Sequence, residues 1–112
     1  MPYRTQEYKS NSEAYVNGDV IIERIPVKNG DINKPISIFV KLSAGALTSL
    51  EVYESIDGSD WQNATALAAY ESSTDWAVLT LVGASYPTGN VLQLRCVTAG
   101  VTVDEVQVLQ YW

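Results

Sequence analysis

The side chains of this chain that could take part in catalysis are a few carboxylates and one thiol. The carboxylates occur in pairs that are close in sequence: Glu51 with Glu54, Asp57 with Asp60, and Asp104 with Glu105. Glycoside hydrolysis needs two carboxyl groups facing each other across a cleft, and one small domain has little room for such a cleft. The chain contains no histidine, which removes Ser-His and Cys-His pairs and the commonest transition-metal ligand. We therefore expect a binding protein, not an enzyme.

Carboxylates could instead bind calcium, which prefers oxygen ligands. The candidates are Asp57, Asp60, Asp104 and Glu105, if loops bring them together. The spacing of the first two lacks the full ligand series of a calcium loop, and an Asp in a turn more often accepts hydrogen bonds from its own backbone. We expect neither a bound metal nor a cofactor.

Aromatic side chains are the other groups that could recognise a ligand. Trp61, Trp76 and Tyr53 could stack on a sugar ring, although a tryptophan in a hairpin corner is more often part of the core. The tyrosines near the N-terminus follow no regular period, which is typical of a frayed terminus or of an arm that anchors on a partner. The residues that we expect to contact a partner are Tyr3, Tyr8, Tyr15, Tyr111 and Trp112.

A predicted strand and turn lie at the centre of the chain. Leu50, Val52 and Ile56 alternate with polar residues, which predicts a half-buried strand with these three on the buried face. An Asp-Gly pair follows, which accepts positive φ in a tight turn, and a tryptophan then folds back over the strand. We expect a structural corner made of Asp57, Gly58 and Trp61.

The same alternation predicts further strands. Residues 36–43 alternate most regularly. Residues 76–82 are apolar on both faces, which predicts that both faces are covered, either by another layer or by another subunit. In the last strand, the acidic pair 104–105 shifts the alternation by one residue, which indicates a β-bulge. Residues 64–71 fit a short strand or extended crossover better than a helix, because so short a helix does not stand unaided.

Seven to eight short strands separated by turns predict an all-β fold. We expect an antiparallel β-sandwich of the jelly-roll or Ig-like type over residues 19–112, preceded by an extended N-terminal arm over residues 1–18.

The charge of the chain is unevenly distributed. Residues 1–34 hold five basic and five acidic side chains, whereas residues 35–112 hold two basic and eight acidic ones, which gives the net charge of −6. Such a surface repels phosphates, so we expect no nucleic acid as a partner.

No signal peptide or membrane-spanning stretch is evident, so we expect no membrane contact and synthesis in a cytoplasm. The single cysteine, Cys96, cannot form an intrachain disulfide. It shares a strand face with leucines, which predicts a buried and unreactive thiol.

Four segments resemble the second half of jelly-roll, galactose-binding-like modules: residues 54–61, 74–76, 91–96 and 103–108. Such modules carry Ser-x-Asp-Gly-x-x-Trp, then an aromatic residue before a strand, an Arg-containing strand, and a closing strand with paired acids. The resemblance covers about half of the chain and implies a fold more than a function, because these modules serve in sugar binding, adhesion and virion decoration alike.

The compact chain, its acidic body and its tyrosine-bearing arm are also similar to small bacteriophage virion proteins, especially capsid decoration (cement) proteins. This resemblance implies a non-enzymatic protein that binds the outer surface of the major capsid protein and stabilises the shell as a trimer or dimer. It also implies a location on the capsid surface of the virion. The alternatives are a carbohydrate-binding module and another phage tail, fibre or connector subunit.

Overall fold

The computed structural model describes residues 3–28, 34–65, 68–72, 76–81 and 90–111, with only the backbone over 68–72. These residues form two antiparallel sheets packed as a β-sandwich, so the predicted all-β fold is confirmed. Within the described residues there is no α-helix, and no helix is long and apolar enough to cross a membrane.

The described residues contain ten strands and one short 3-10 helix, more strands than the seven to eight predicted. In chain order they are β1 (Tyr3–Lys9), β2 (Glu13–Tyr15), β3 (Val20–Pro26), β4 (Ile36–Ala44), the 3-10 helix (Leu47–Ser49), β5 (Leu50–Ser55), β6 (Gln62–Asn63), β7 (Ala68–Ser72), β8 (Ala77–Leu81), β9 (Val91–Cys96) and β10 (Val101–Tyr111). The preference for an extended structure over residues 64–71 is confirmed for the part that belongs to β7.

The strand pairings nest inside one another. Sheet A has the order β1-β10-β4-β8-β7, with β2 also on β10, and sheet B has the order β3-β9-β5-β6. The first strand thus pairs with the last, β3 with β9, β4 with β8, and β5 with β6, and successive pairs alternate between the sheets. This is the arrangement of a jelly roll.

The core lies between the two sheets and follows the alternation read from the sequence. In β4, Ile36, Ile38 and Val40 are buried while the residues between them are half-buried. β8 behaves in the same way, with Leu79 and Leu81 buried. Burying a large aliphatic side chain contributes about 1.5–3 kcal/mol, so these inward faces hold the sandwich together.

The predicted bulge in the last strand is confirmed. The register of β10 against β4 shifts between Val103 and Glu105, which leaves Asp104 as the extra residue. The Asp104 carboxylate accepts hydrogen bonds from the hydroxyls of Ser12 at 2.6 Å and Ser43 at 3.1 Å. The bulge therefore faces the break between β1 and β2 and ties this edge of the sheet to β4.

The described part of the predicted N-terminal arm (residues 1–18) is extended, and its two strands pair into sheet A. Both β1 and β2 pair with β10, which is long enough to accept the two strands end to end. Lys9 Nζ forms a salt bridge of 2.7 Å with Glu13, and the Tyr15 hydroxyl donates to the same carboxylate at 3.0 Å. Backbone hydrogen bonds to β10 and burial of the Tyr15 ring both stabilise the segment in this position.

The prediction that Ile56 lies on the buried face of its strand is wrong, because Ile56 is 82% exposed. β5 ends one residue earlier, at Ser55, whose side chain is buried. The Ser55 hydroxyl donates to the Asp57 carboxylate at 2.9 Å and accepts from the Gly58 N–H at 2.8 Å. The chain thus turns before Ile56 can reach the core.

Truncation of a core isoleucine tests this packing. Ile38 is fully buried in β4, so Ile38→Ala should lower the free energy of unfolding by about 2–5 kcal/mol in urea titrations. The matched control is Ile56→Ala, the same truncation at an exposed position, which should change it by less than about 0.5 kcal/mol. Equal effects of the two substitutions would contradict the assignment of the core.

Candidate functional site

A shallow groove of about 380 Å³ lies on the outer face of sheet A. It is lined by Thr5, Phe39, Trp76, Gln107 and Leu109. In the register of the sheet, Thr5 pairs with Leu109 and Gln107 pairs with Phe39. Side chains from β1, β10 and β4, with Trp76 just before β8, therefore meet on the face that points away from the core.

This outer face carries a small group of apolar side chains among polar ones, although the core is already complete on the other side of the sheet. Phe39, Trp76, Val78 and Leu109 are all half-buried on it. The prediction that both faces of residues 76–82 are covered is confirmed for the inner face. The side chains on the outer face are only half-buried. Val82 lies outside the described residues. The Lys41 ammonium stands 6.0 Å from the Trp76 ring centroid, at the rim of the groove.

An aromatic pair extends this face towards the chain ends. The rings of Tyr3 and Tyr111 meet edge to face, with centroids 5.3 Å apart and an interplanar angle of 77°. The Lys34 ammonium lies 4.5 Å from the Tyr111 centroid. Tyr3 is 43% exposed, so this end of sheet A presents an aromatic surface with a cation beside it. Trp112 lies outside the described residues.

The other two tyrosines of the predicted arm point elsewhere. Tyr15 is a core residue, and Tyr8 packs against the margin of the core. Burial raises the pKa of both phenols. Of the three N-terminal tyrosines, Tyr3 is exposed, Tyr8 is half-buried and Tyr15 is buried.

The corner after β5 is organised by one carboxylate oxygen. Oδ1 of Asp57 accepts hydrogen bonds from the backbone N–H groups of Ser59 at 2.9 Å and Asp60 at 3.0 Å, and from the hydroxyl of Ser55 at 2.9 Å. These donors, the backbone amides above all, hold the pKa of Asp57 well below its usual range. Gly58 adopts a φ of +81°, as expected for this turn. Asp57 is thus engaged in its own turn.

A second groove, of about 490 Å³, lies beside this corner, and burial raises the pKa of its Glu54 carboxyl. It is lined by Glu54, Ser55, Ile56, Asp57, Asp60, Gln62 and Asn90. The two other calcium candidates, Asp104 and Glu105, belong to the bulge of β10 in sheet A. Across the described residues, no cluster of three or more Asp, Glu, Cys or His side chains is arranged to hold a metal ion.

The candidates for stacking on a sugar occupy different surroundings. One face of the Tyr53 ring is covered by Arg95, whose Cζ lies 3.7 Å from the ring centroid, and the Tyr53 hydroxyl donates to Glu51 at 3.0 Å. Trp61 is half-buried just before β6 and lines neither groove. Among these aromatic residues, Trp76 is the one that lines a groove.

Cys96 is fully buried in β9, as predicted. Its thiol donates to the carbonyl of Ala99 at 3.3 Å, and burial raises the pKa of the thiol. A high pKa leaves little thiolate at neutral pH, so this side chain acts as a small core residue.

Sequence reasoning missed most of the outer groove. Thr5, Phe39, Gln107 and Leu109 come from three strands that are far apart in the chain, and none of them stands out locally. The signal that could have found them is the apolar outward position of Phe39, alternating with the inward residues of β4.

The low pKa of Asp57 predicts a pH dependence of stability. Because the pKa of Asp57 in the folded state lies below that of an ordinary aspartate, about 3.9, the stabilisation is fully present above about pH 5 and is lost as the pH falls towards the folded-state pKa. In urea titrations, the free energy of unfolding should fall less between about pH 6 and about pH 3 for Asp57→Asn than for the wild type. The control Asp60→Asn removes a charge from the same loop but leaves the Asp57 carboxylate in place, so its free energy of unfolding should fall as much as that of the wild type. Identical profiles for wild type and Asp57→Asn would contradict this role.

The turn also predicts a difference between two substitutions at Gly58. A Cβ there meets the Arg24 guanidinium, with Nη1 at 2.9 Å, and must accept a positive φ. Gly58→Ala should cost about 1–3 kcal/mol in unfolding free energy. Gly58→Asn adds the same Cβ but tolerates positive φ better, so it should cost less. Equal losses for the two would show that crowding by Arg24, not backbone strain, dominates.

Comparison with known proteins does not assign this chain to a family. No family model, no curated protein and no solved structure matches the chain significantly. The function must therefore be argued from the surfaces that the sandwich presents.

Proposed function

We propose that this chain is a non-enzymatic structural protein of a bacteriophage virion, a capsid decoration (cement) protein. It binds the outer surface of the major capsid protein and stabilises the shell by many weak contacts repeated across the lattice. In this role it acts as a homo-oligomer, a trimer or dimer, on the virion surface after synthesis in the host cytoplasm.

The observation that carries this proposal is the group of aromatic and aliphatic side chains around the groove on the outer face of sheet A. Exposed apolar groups that are rimmed by polar residues mark interaction sites on soluble proteins. Here Phe39, Trp76 and Leu109 surround a groove in a sheet whose other face already packs on the core. Protein interfaces are enriched in aromatic residues at their centre and polar at their rim. Gln107 and Lys41 supply such a rim.

The fold and the charge distribution are consistent with this role. Jelly rolls build viral capsid proteins and lectins, which is an argument by analogy. The acidic surplus falls within residues 35–112, whereas β1 and β2 lie in the charge-balanced part of the chain. The described residues that line the groove include no acidic side chain, so the groove can approach a protein shell, while the acidic remainder keeps decorated particles apart in solution.

One observation favours a second candidate, a carbohydrate-binding module. The groove combines the Trp76 and Phe39 rings with the polar side chains of Gln107 and Thr5, which is a lining that suits a sugar ring. Binding on a glycan array that is lost in a folded Trp76→Ala variant would favour this reading. A phage tail, fibre or connector subunit is the remaining alternative, and assembly of the isolated chain into closed rings would point to it.

Sedimentation with capsid shells tests the first proposal. Shells of the encoding phage that lack decoration should carry the purified protein down saturably, at a fixed ratio to the capsid subunit. Phe39→Thr keeps a strand-forming residue but removes the ring, and should weaken binding about tenfold or more.

The matched control is Val20→Thr, which changes an apolar side chain that is 42% exposed in sheet B. It should leave binding unchanged, and thermal melts should show both variants folded. Absence of binding to shells, or equal binding of both variants, would overturn the proposed contact.

A further inference from the structure

The groove beside the Asp57 corner lies where the inner face of sheet B ends. Glu54 pairs with Leu92 of β9 and with Gln62 of β6. Residues directly opposite each other in antiparallel strands share a face of the sheet, and Leu92 is fully buried in the core. Glu54 and Gln62 therefore continue the inner face, which changes here from aliphatic to polar. Asn90 follows the same face, because it stands two residues before Leu92.

Two polar side chains in this groove have no partner in the described chain. Asn90 is 6% exposed, and its backbone carbonyl accepts a hydrogen bond from the Val27 N–H at 2.9 Å. Its carboxamide lines the groove but forms no hydrogen bond with a described residue. The Glu54 carboxylate accepts none from the described residues either, and burial raises the pKa of this carboxyl. Because unpaired buried polar groups are costly, both side chains indicate a ligand that supplies the missing partners.

The charge of the groove is negative and is not balanced within it. Glu54, Asp57 and Asp60 line the groove, and none of its described lining residues is basic. The Arg24 guanidinium packs against Gly58 on the same turn, but among the described residues it forms no salt bridge and does not line the groove. A cation is therefore the ligand whose charge complements this groove.

Two features select the kind of cation. Among the described residues, the carboxylates are not arranged to hold a metal ion. Ile56 borders the groove and is 82% exposed, so an aliphatic chain can pack on it. Arginine and lysine combine such an aliphatic stem with a charged head. The guanidinium of arginine presents five donors and can therefore serve several acceptors at once.

We infer that this groove binds an arginine side chain of a partner polypeptide. The guanidinium lies among Glu54, Asp60 and the Asn90 carboxamide, and the stem packs on Ile56. The inference goes beyond the proposed function, because the groove lies at the corner after β5, whereas the proposed shell contact lies on the outer face of sheet A. It specifies a second partner, on the side of the molecule that is turned to solvent on a decorated capsid.

Peptides with a single basic residue test the site in solution. The probe is acetyl-Gly-Arg-Gly-amide, titrated into the isotope-labelled chain and followed by NMR. It should shift the resonances of residues 54–62 and of the Asn90 side-chain amide saturably, and less in high salt. The peptide with citrulline keeps the shape of arginine without its charge and should not bind. The peptide with lysine should bind more weakly than the arginine peptide.

Substitutions locate the two parts of the contact. Glu54→Gln keeps the shape of the side chain but removes its charge, and should weaken binding of the arginine peptide about three- to tenfold. Ile56→Ala removes the apolar surface and should weaken it about twofold or more. The matched control is Glu7→Gln on β1, outside the groove, which should leave binding unchanged. Thermal melts should show all three variants folded.

The opposite results overturn the inference. Equal binding of the citrulline peptide, or shifts confined to residues outside 54–62 and 90, would exclude an arginine site in this groove. So would unchanged binding in Glu54→Gln and Ile56→Ala. Equal binding of the lysine peptide would overturn the choice of arginine. If calcium chloride shifts these resonances and the arginine peptide does not, the groove is a metal site. Glu54→Gln should still sediment with shells, so the failure of one proposal is distinguishable from the failure of the other.

Discussion

The structure depends on the pairing of β10 with three other strands. β10 lies between β1 and β2 on one side and β4 on the other, so it joins both ends of the chain to the centre of sheet A. Its inward valines, among them Val103, Val106 and Val108, are almost fully buried. The other strand pairs lie between β1 and β10 in the chain. Loss of β10 would therefore both detach β1 and β2 and expose the core.

The pairing of β10 with its neighbours also creates the surface on which we propose that the contacts with the shell lie. Because sheet B supplies the cover for the inner face alone, apolar residues that point outward from β4 and β10 remain at the surface. β1 pairs with β10 on one side, and no described strand pairs with its other side. Both features follow from a jelly roll whose two sheets differ in width. Asp57 and Cys96 are both engaged in hydrogen bonds within the fold.

Local patterns in the sequence predicted the features that are determined by residues close together in the chain, such as strand faces and the bulge. Alternation in β4 and the parity shift at Asp104 correctly indicated the inward face and the bulge. Ile56 misled the same reasoning, because hydrogen bonds of Ser55 ended the strand early. The docking of residues 3–15 on β10 was not predictable, since periodicity reports which face is apolar but not which strand is the partner. The groove was hidden for the same reason: Thr5 and Leu109 meet through a pairing between the two ends of the chain.

The central claim is that the outer face of sheet A lies against the shell. The most direct measurement is a cryo-electron microscopy reconstruction of capsids decorated with the chain, at a resolution that separates the strands. The account predicts that Phe39 and Trp76 face the capsid subunit, with sheet B and the corner at Asp57 turned to solvent. A reconstruction in which sheet B or that corner touches the shell, with the outer face of sheet A open to solvent, would contradict it.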